Sequence, residues 1–365
     1  MSTHKINLVL FGKGNVGNTL INQIKESAFF IKGSCRVELN LVGIANSKKF
    51  WFLNKNEKDF EVSAEIYENY SLSEIVALVK SNYQHNLIAV DATASEAISA
   101  NYEFLITNGF HIVSANKIAN TNSQAAYNRL RTVLHENTKS FRYETNVGAG
   151  LPIIETVRAL YECGDRIKRI RGVFSGSLSY IFNTFCESEI SFSSVVQNAL
   201  QLGYTEPDPR IDLSGKDVAR KLLILTREIG LSYEFEKIKI KSLLVPSLEE
   251  KAPLDSFLRK ITELDVPFKN AKLAQKPDYV LRYVGELNAE TKLLEVKLVS
   301  VPLNSALGQL KGTDSIFEIF TSAYGEDPMI VRGAGAGKEV TARGLLSDII
   351  KTAKAMGDLQ TVDTY

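Results

Sequence analysis

Apolar runs alternate with amphipathic stretches through the first 145 residues of the chain. Runs typical of buried strands begin at Lys5, Val37, Leu87, Phe110 and Phe141. Amphipathic stretches typical of helices lie between them, near residues 18–25, 95–107 and 118–136. This alternation predicts an α/β domain with a doubly wound, mostly parallel sheet, whose ligands bind at the carboxyl ends of the strands. Residues 46–70 mix aromatic and charged side chains and receive no assignment.

The pattern changes after residue 147. Predicted helices cover residues 152–161, 177–185, 193–202 and 339–356, and predicted strands cover 166–173, 279–287, 293–302, 314–322 and 329–332. The strands at 279–287 and 293–302 are predicted to form an antiparallel hairpin. Its outer edge is a candidate for pairing with a second subunit across a twofold axis. This half therefore predicts an α+β domain that covers substrate or pairs subunits. The boundaries we draw are a dinucleotide-binding domain at 1–147, a substrate and dimerisation domain at 148–334, and a C-terminal helix at 335–365.

A glycine-rich turn lies between the first predicted strand and the first predicted helix. It contains Gly12, Gly14 and Gly17 in the Gly-x-Gly-x-x-Gly spacing of a Rossmann-type dinucleotide site. The first glycine allows the tight turn, the second lets a pyrophosphate approach the backbone, and the third lets helix and strand pack closely. Free N–H groups at the helix start, including those of Asn15 and Val16, favour phosphate. The alternative is a tight turn without a ligand.

The end of the second strand carries no acidic residue. Its sequence is Ala45-Asn-Ser47-Lys48-Lys49. A site that prefers NAD usually has Asp or Glu there for the ribose 2′-hydroxyl, whereas lysines suit a 2′-phosphate. The sequence therefore predicts NADP(H), with NAD(H) as the alternative cofactor. The competing interpretation is that both lysines are solvated loop charges.

Residues 203–221 carry the densest group of candidate catalytic side chains. Glu206 lies in a loop stiffened by prolines, and Asp217 and Lys221 are one turn apart on a predicted helix that Ser214 would cap. Two carboxylates and an amine suit a site that grips an ammonium group and moves a proton. The alternative is that Asp217 and Lys221 form an ordinary surface salt bridge.

Four segments, in order along the chain, resemble homoserine dehydrogenases, and particularly the dehydrogenase half of bifunctional aspartokinase–homoserine dehydrogenases. The segments are residues 143–155, 176–182, 203–221 and 332–337. The resemblance implies interconversion of L-aspartate 4-semialdehyde and L-homoserine in threonine and methionine biosynthesis. It also implies a homodimer and a last helix that returns to the nucleotide domain. Ile211 departs from the usual acidic or small polar residue, which could alter the packing of that loop.

The resemblance also implies roles for individual residues. Lys221 is the expected general acid and base, with Asp217 orienting it and Lys117 either polarising the carbonyl or sharing in proton transfer. The expected substrate-binding residues are Glu206, Asp217, Gly203 and Tyr204. The expected cofactor-binding residues are Gly12, Gly14, Asn15, Val16, Gly17, Ala45, Ser47, Lys48, Thr93, Ser95, Lys117 and Gly337. A sodium ion is expected on the Glu144 carboxylate and the carbonyls of Val147, Ala149 and Leu151, unless this segment is only a tight interdomain turn.

Composition narrows the class of protein. The net charge of +1 argues against nucleic-acid binding, and the apolar runs are too short to cross a bilayer. There is no signal-peptide layout, and the three cysteines lack metal-binding spacing, so we expect a cytoplasmic protein. Cys163 and Cys186 are expected in the core. The partner is then a small-molecule substrate, with a kinase domain as a further partner if the chain is excised from a bifunctional enzyme. A chain without a regulatory module is expected to show weak threonine inhibition.

Three other functions are alternatives to a homoserine dehydrogenase. A lactate-type dehydrogenase needs a histidine base, and none of the four histidines lies in the second half. An aspartate-semialdehyde dehydrogenase needs a cysteine nucleophile beside a histidine, which neither Cys163 nor Cys186 has in its sequence context. A nucleotide-sensing regulator would bind NADP(H) without turning over homoserine.

Overall fold

The computed structural model describes residues 3–53, 64–248 and 252–362, with side chains placed as far as residue 357. Its strands are β1 (His4–Phe11), β2 (Val37–Ala45), β3 (Lys49–Leu53), β4 (Ala64–Glu68), β5 (Leu87–Asp91), β6 (Phe110–Ser114), β7 (Phe141–Arg142), β8 (Ile167–Val173), β9 (Lys239–Ile240), β10 (Tyr279–Asn288), β11 (Leu293–Pro302), β12 (Asp314–Thr321) and β13 (Met329–Ala334). Its α-helices are α1 (Asn15–Cys35), α2 (Leu72–Asn82), α3 (Glu96–Ser99), α4 (Tyr102–Thr107), α5 (Ile118–Thr121), α6 (Gln124–Glu136), α7 (Ile153–Glu162), α8 (Gly176–Glu187), α9 (Phe192–Gln201), α10 (Arg210–Leu213), α11 (Lys216–Glu228), α12 (Leu254–Lys260), α13 (Asp265–Leu273) and α14 (Lys338–Val362).

The chain divides into two compact units. Unit 1 contains residues 1–150 and 337–365, and unit 2 contains residues 151–336. The boundaries drawn from sequence fall at 147/148 and 334/335. Each unit has its own sheet.

The sheet of unit 1 has the strand order β4-β3-β2-β1-β5-β6-β7. Strands β2, β1, β5, β6 and β7 are parallel, which confirms the predicted doubly wound arrangement. The unassigned segment after residue 46 adds β3 and β4 as antiparallel edge strands, while residues 54–63 lie outside the described part. The strand predicted from Phe141 to Thr145 is shorter, because residues 144–146 form a 3₁₀ turn.

Helices α1 and α14 pack together on the sheet of unit 1. Leu20 and Ile24 of α1 join Leu345 and Ile349 of α14 in one buried cluster with the sheet residues. The Gln23 amide also donates to the carbonyl of Glu339 at 2.9 Å. The apolar stripe of α14 is therefore buried in unit 1, although nearly 190 residues of unit 2 separate α14 from the rest of that unit in sequence.

The sheet of unit 2 has the strand order β13-β12-β8-β10-β11-β9. Strands β10 and β11 form the predicted antiparallel hairpin, in register from Tyr279↔Pro302 to Asn288↔Leu293. Much of the hairpin is paired on its outer sides as well. Strand β10 also pairs with β8, and β9 pairs with part of β11. Within the described residues, the two end strands of this sheet are β13 and the two-residue β9, so β13 presents the longer unpaired edge.

Helix α11 lies against the sheet of unit 2 through a fully apolar stripe. Val218, Leu222 and Leu225 are each at most 1% exposed, as the predicted helical spacing requires. The predicted helix start at Ser214 is wrong. Ser214 ends α10, and Gly215, with a left-handed φ of 72°, forms the N-cap of α11. Glycine is needed there because a left-handed backbone disfavours side chains.

Candidate active site and nucleotide site

The glycine turn of unit 1 has the geometry that its spacing predicts. Gly12 has a φ of 103°, and a Cβ on Gly17 would lie 1.9 Å from the carbonyl oxygen of Gly12. Gly14 differs, since a Cβ there would meet nothing within 4 Å. Gly14 is the N-cap of α1 and supplies no side chain to bond the first N–H groups, among them those of Asn15 and Val16. The turn thus presents open space beside unpaired donors, which fits a pyrophosphate.

The two lysines after β2 have different surroundings. The side-chain oxygen of Asn46 accepts hydrogen bonds from the backbone N–H groups of Lys48 and Lys49, which closes the turn into β3. Lys49 then forms an ion pair with Glu68 at 2.7 Å, whereas Lys48 and Ser47 are exposed. Lys49 is therefore already paired with a carboxylate.

A third lysine, which the sequence analysis did not single out, lies at the same edge. The ammonium of Lys13, in the glycine turn, lies 4.6 Å from the ring centroid of Trp51 on β3. The backbone N–H of Gly12 donates to the carbonyl of Ala45 at 2.8 Å, so the glycine turn and the end of β2 are adjacent. Because the packing of β1 beside β2 produces this proximity, no local sequence signal reveals it.

A buried carboxylate ties together two predicted cofactor-binding loops at the carboxyl ends of β5 and β6. Asp91 accepts hydrogen bonds from the Thr93 backbone at 2.8 Å and from the Asn116 amide at 3.1 Å. The Asn116 amide also donates to the carbonyl of Ser95, and its oxygen accepts from the N–H of Ile118. Burial raises the pKa of the Asp91 carboxyl. This network fixes Thr93, Ser95 and the start of α5, where half-buried Lys117 lies.

The remaining residues predicted around the cofactor and the cation lie in or beside two turns. Gly337 has a φ of 116° and immediately precedes α14. Glu144 is buried, and its backbone N–H donates to the Asp348 carboxylate at 2.8 Å. Val147 and Ala149 follow in the same turn of unit 1, and Leu151 is the first residue of unit 2. The sodium site stays a prediction from the resemblance.

Lys221 is the central group of the candidate catalytic site in unit 2. It is only 8% exposed, and its ammonium donates to the carbonyl of Phe174 at 2.7 Å. The same nitrogen lies 2.8 Å from a carboxylate oxygen of Asp217. The ordinary surface salt bridge is thereby excluded, because the lysine is buried and bonded to a main-chain oxygen as well. An ammonium has three N–H donors, and among the described residues Phe174 and Asp217 occupy two of them.

Asp212 is a further carboxylate of the candidate site, which the sequence analysis did not single out. Its carboxylate accepts from the Ser177 hydroxyl at 2.6 Å and from the backbone N–H of Glu206 at 2.9 Å. Burial raises the pKa of the Asp212 carboxyl, and the nearby charges of Glu206 and Asp217 raise it further, against those hydrogen bonds. Its position five residues before Asp217 is the signal that could have found it.

The predicted substrate-binding loop lies around these carboxylates. Glu206 is exposed, and Gly203 ends the preceding helix with a φ of 71°. Tyr204 is 45% exposed, and its ring contacts that of Tyr180 at a centroid distance of 4.7 Å. Glu206 therefore presents a solvent-exposed carboxylate near Asp212 and Asp217. We call these three carboxylates the acidic wall of the site, and it lies beside the buried Lys221 ammonium.

Two family profiles cover most of the chain. The profile described as "Homoserine dehydrogenase" matches residues 152–350, and that described as "Homoserine dehydrogenase, NAD binding domain" matches residues 12–144. The chain belongs to the homoserine dehydrogenase family. The recognition made from the four sequence segments is thus confirmed, and a dinucleotide-binding domain is established for unit 1.

Curated homoserine dehydrogenase relatives are longer than this chain. It is 41% identical over 355 residues to the bifunctional aspartokinase/homoserine dehydrogenase of Buchnera aphidicola, covering 95% of this chain and 43% of that protein. It is 39% identical over 356 residues to a chloroplastic bifunctional aspartokinase/homoserine dehydrogenase of Zea mays, covering 95% of this chain and 38% of that protein. The chain therefore spans about two fifths of the length of these relatives.

Solved structures support the same homoserine dehydrogenase fold. A Candida auris protein of unknown function matches with a TM-score of 0.86 at 35% identity, covering 96% of this chain and 99% of that chain. A hyperthermophilic archaeal homoserine dehydrogenase in complex with NADPH matches with a TM-score of 0.73 at 25% identity, covering 95% and 97%.

Membrane-span, metal-cluster and cysteine features of the chain can also be compared with the expectations from sequence. None of its described helices combines the length and the apolar content needed to span a bilayer. Within the same residues, no cluster of three or more His, Cys, Asp or Glu side chains could hold a metal ion. Cys163 is exposed rather than in the core, and Cys186 is half-buried.

Proposed function

We propose that this protein catalyses the interconversion of L-aspartate 4-semialdehyde and L-homoserine with NADP(H). The observation that carries the proposal is the buried Lys221 ammonium, held by a main-chain carbonyl and by Asp217. A dehydrogenase that reduces an aldehyde needs a positioned acid for the carbonyl oxygen, since the dinucleotide, when bound, supplies only the hydride.

Lys221 acts as that acid. Its two protein hydrogen bonds, to the Phe174 carbonyl and the Asp217 carboxylate, fix the direction of the third N–H. This N–H donates to the substrate's carbonyl oxygen and transfers its proton as the alkoxide forms. In the oxidation of homoserine, the neutral amine takes the hydroxyl proton back.

The acidic wall binds the other end of the substrate. The substrate carries an α-ammonium group, which pairs well with carboxylates through charge-assisted hydrogen bonds. Glu206 and Asp217 supply these carboxylates. Asp212 positions the loop, because its carboxylate holds the backbone N–H of Glu206.

The first prediction concerns the role of Lys221 as the general acid. Lys221→Ala is expected to lower kcat by about 100-fold or more, as is usual for loss of a general acid. Lys216→Ala is the matched control, because Lys216 lies on the same helix and is exposed. Turnover is followed through NADPH absorbance, and NADPH binding is measured separately for each variant.

Two results would count against the proposal. A loss of less than about threefold in a folded Lys221→Ala variant, well short of the usual effect, would remove the lysine as acid. A parent protein that binds NADPH but turns over neither substrate would instead indicate a nucleotide-sensing regulator.

The proposed preference for NADP(H) rests on the end of β2. No acidic side chain follows Ala45, Lys48 is exposed, and Lys13 lies over the Trp51 ring at the same edge. We assign Lys13 and Lys48, rather than the ion-paired Lys49, to the 2′-phosphate.

A homodimer is the proposed assembly. It is supported by the resemblance and by the unpaired edge of β13, where Ile330 is 47% exposed. Relatives that fuse a homoserine dehydrogenase to an aspartokinase also make a kinase domain a candidate partner.

A further inference from the structure

A polar cavity of about 520 Å³ lies in unit 1, at the amino ends of β5, β6 and β7. The glycine turn and the Asp91 network follow the carboxyl ends of the strands. The cavity therefore lies at the other end of the same parallel strands, where they begin. The residues that line it are Lys80, Gln84, His85, Asn86, Thr107, Asn108, Gly109, His111, Asn137, Thr138, Lys139 and Met356. This set contains two lysines and two histidines but no carboxylate.

His111 provides a fixed donor on the wall of this cavity. It is only 7% exposed, and its Nδ1 accepts from the Ser140 backbone N–H at 3.1 Å. A backbone amide can only donate, so the neutral ring carries its proton on Nε2. Nε2 makes no hydrogen bond to any residue that the structure describes. Burial and the charge of Lys139 lower the pKa of His111 to about 4, so the ring stays neutral at pH 7.

Lys139 is a half-buried cation on the same wall. Within the described residues, no carboxylate lies within ion-pair distance of its ammonium, and burial lowers its pKa. Among the residues that the structure describes, Lys80 donates only to the side-chain oxygen of Asn108, at 3.4 Å. Burying a cation without a counter-charge costs free energy, which an incoming anion would offset.

Lysines near helix ends often serve the last carbonyl groups of the helix, and α4 and α6 end at this cavity. Those carbonyls are already bonded. The N–H groups of Asn137, Thr138 and Lys139 donate to the last carbonyls of α6, and those of Asn108 and Gly109 donate to the last carbonyls of α4. The Asn108 and Asn137 amides add a second donor at each end. The Lys139 ammonium is therefore not needed to cap α4 or α6, whereas Lys80 lies in the last turn of α2, where its charge also favours the carbonyl end of that helix.

We infer that this cavity binds the oxyanion group, carboxylate or phosphate, of a small polar molecule. The His111 Nε2–H and the Lys139 ammonium hold the anionic oxygens, with Lys80 at the mouth. The Asn86 side-chain oxygen is an acceptor for hydroxyl or amino groups of the same ligand, because its amide nitrogen donates to the Lys5 carbonyl. This site is independent of the proposed dehydrogenase chemistry.

Histidine NMR tests the inference directly. Two of the chain's four histidines line the cavity, and His4 and His135 do not. The protein is labelled at histidine, saturated with NADP⁺ to occupy the phosphate-binding turn, and titrated with inorganic phosphate or with acetate in separate arms. The expected result is a saturable shift of the His111 signals, with those of His4 and His135 unchanged.

Variants separate a built site from a general salt effect. Lys139→Met is expected to weaken the binding of the effective anion by about tenfold or more, the usual scale for a charged hydrogen bond. Lys269→Met is the control, since Lys269 is an exposed lysine of unit 2. The unshifted His135 signal reports that each variant is folded.

The titration arms also identify the class of ligand. Saturation by phosphate alone supports a phosphate-bearing ligand, and saturation by acetate as well supports a carboxylate. The inference is overturned if neither anion saturates, if all four signals move together, or if Lys139→Met binds as tightly as the parent. None of these outcomes depends on turnover of homoserine.

Discussion

Lys221 shows how burial decides the meaning of a short sequence pattern. An Asp and a Lys four residues apart usually form a weak surface pair. Here the lysine is 8% exposed and bonded to the Phe174 carbonyl, 47 positions earlier in the chain. The side-chain types and their spacing are readable from sequence, but the carbonyl partner exists only because α11 packs on the sheet that contains β8. Asp212 escaped notice for the same reason.

His111 predicts a pH dependence of stability. Its pKa is lowered from 6.5 to about 4 in the folded protein, mainly by burial. Between these values the unfolded chain binds a proton that the folded protein does not, so stability rises with pH. This contribution is complete above about pH 6.5 and is lost as the pH falls toward 4, on the order of 3 kcal/mol in all.

The measurement is denaturant unfolding of the parent and of His111→Gln across that pH window. The variant is expected to lose less stability on acidification, because glutamine does not titrate. His135→Gln, at an exposed position of α6, serves as the control. Parallel stability curves for the parent and His111→Gln would show that the histidine titrates normally.

At the scale of elements, strand β3 changes the cofactor edge. The glycine turn and the missing acid after β2 are local features, and both were predicted from sequence. The β2–β3 hairpin is also local, but the pairing of β3 with β4 and the approach of Trp51 to the glycine turn are not, and these contacts give the lysines different partners. They bring Trp51 under Lys13 and Glu68 onto Lys49.

The resulting prediction compares three lysine variants. Lys13→Ala and Lys48→Ala are expected to bind adenosine 2′,5′-bisphosphate about tenfold more weakly, with little change for 5′-AMP, because only the former carries a 2′-phosphate. Lys49→Ala is the matched control and should change neither affinity. Trp51 is the chain's single tryptophan, so its fluorescence reports binding at this edge. Equal affinity of the parent for both ligands would refute the assigned 2′-phosphate site.

At the scale of the whole molecule, each unit has its own sheet, and segments that are distant in sequence pack on or within that sheet. Unit 1 is completed by α14, and unit 2 contains a hairpin that is interior on one side. The sequence placed the hairpin correctly but not its neighbours, since a strand's pairing partners depend on the other strands of the sheet.

The predicted homodimer belongs to this scale. Sedimentation equilibrium is expected to give about twice the chain mass of 40.5 kDa. Ile330→Glu, at the exposed edge strand, should weaken the dimer because it places a charge on the pairing edge. Leu273→Glu, at an exposed position of α13, is the control. A monomer mass for the parent at micromolar concentration would exclude the assembly.

The sequence by itself determined the α/β class of unit 1, the glycine turn, the candidate catalytic residues and the family. These features depend on periodicity, turn chemistry and residue identity within short windows. Tertiary structure alone decided which lysines are paired, that Lys221 is buried, that Asp212 contacts Ser177, and that an oxyanion-binding cavity forms where three strands begin. Each of these depends on contacts between segments far apart in the chain, whose burial and charge no local pattern records.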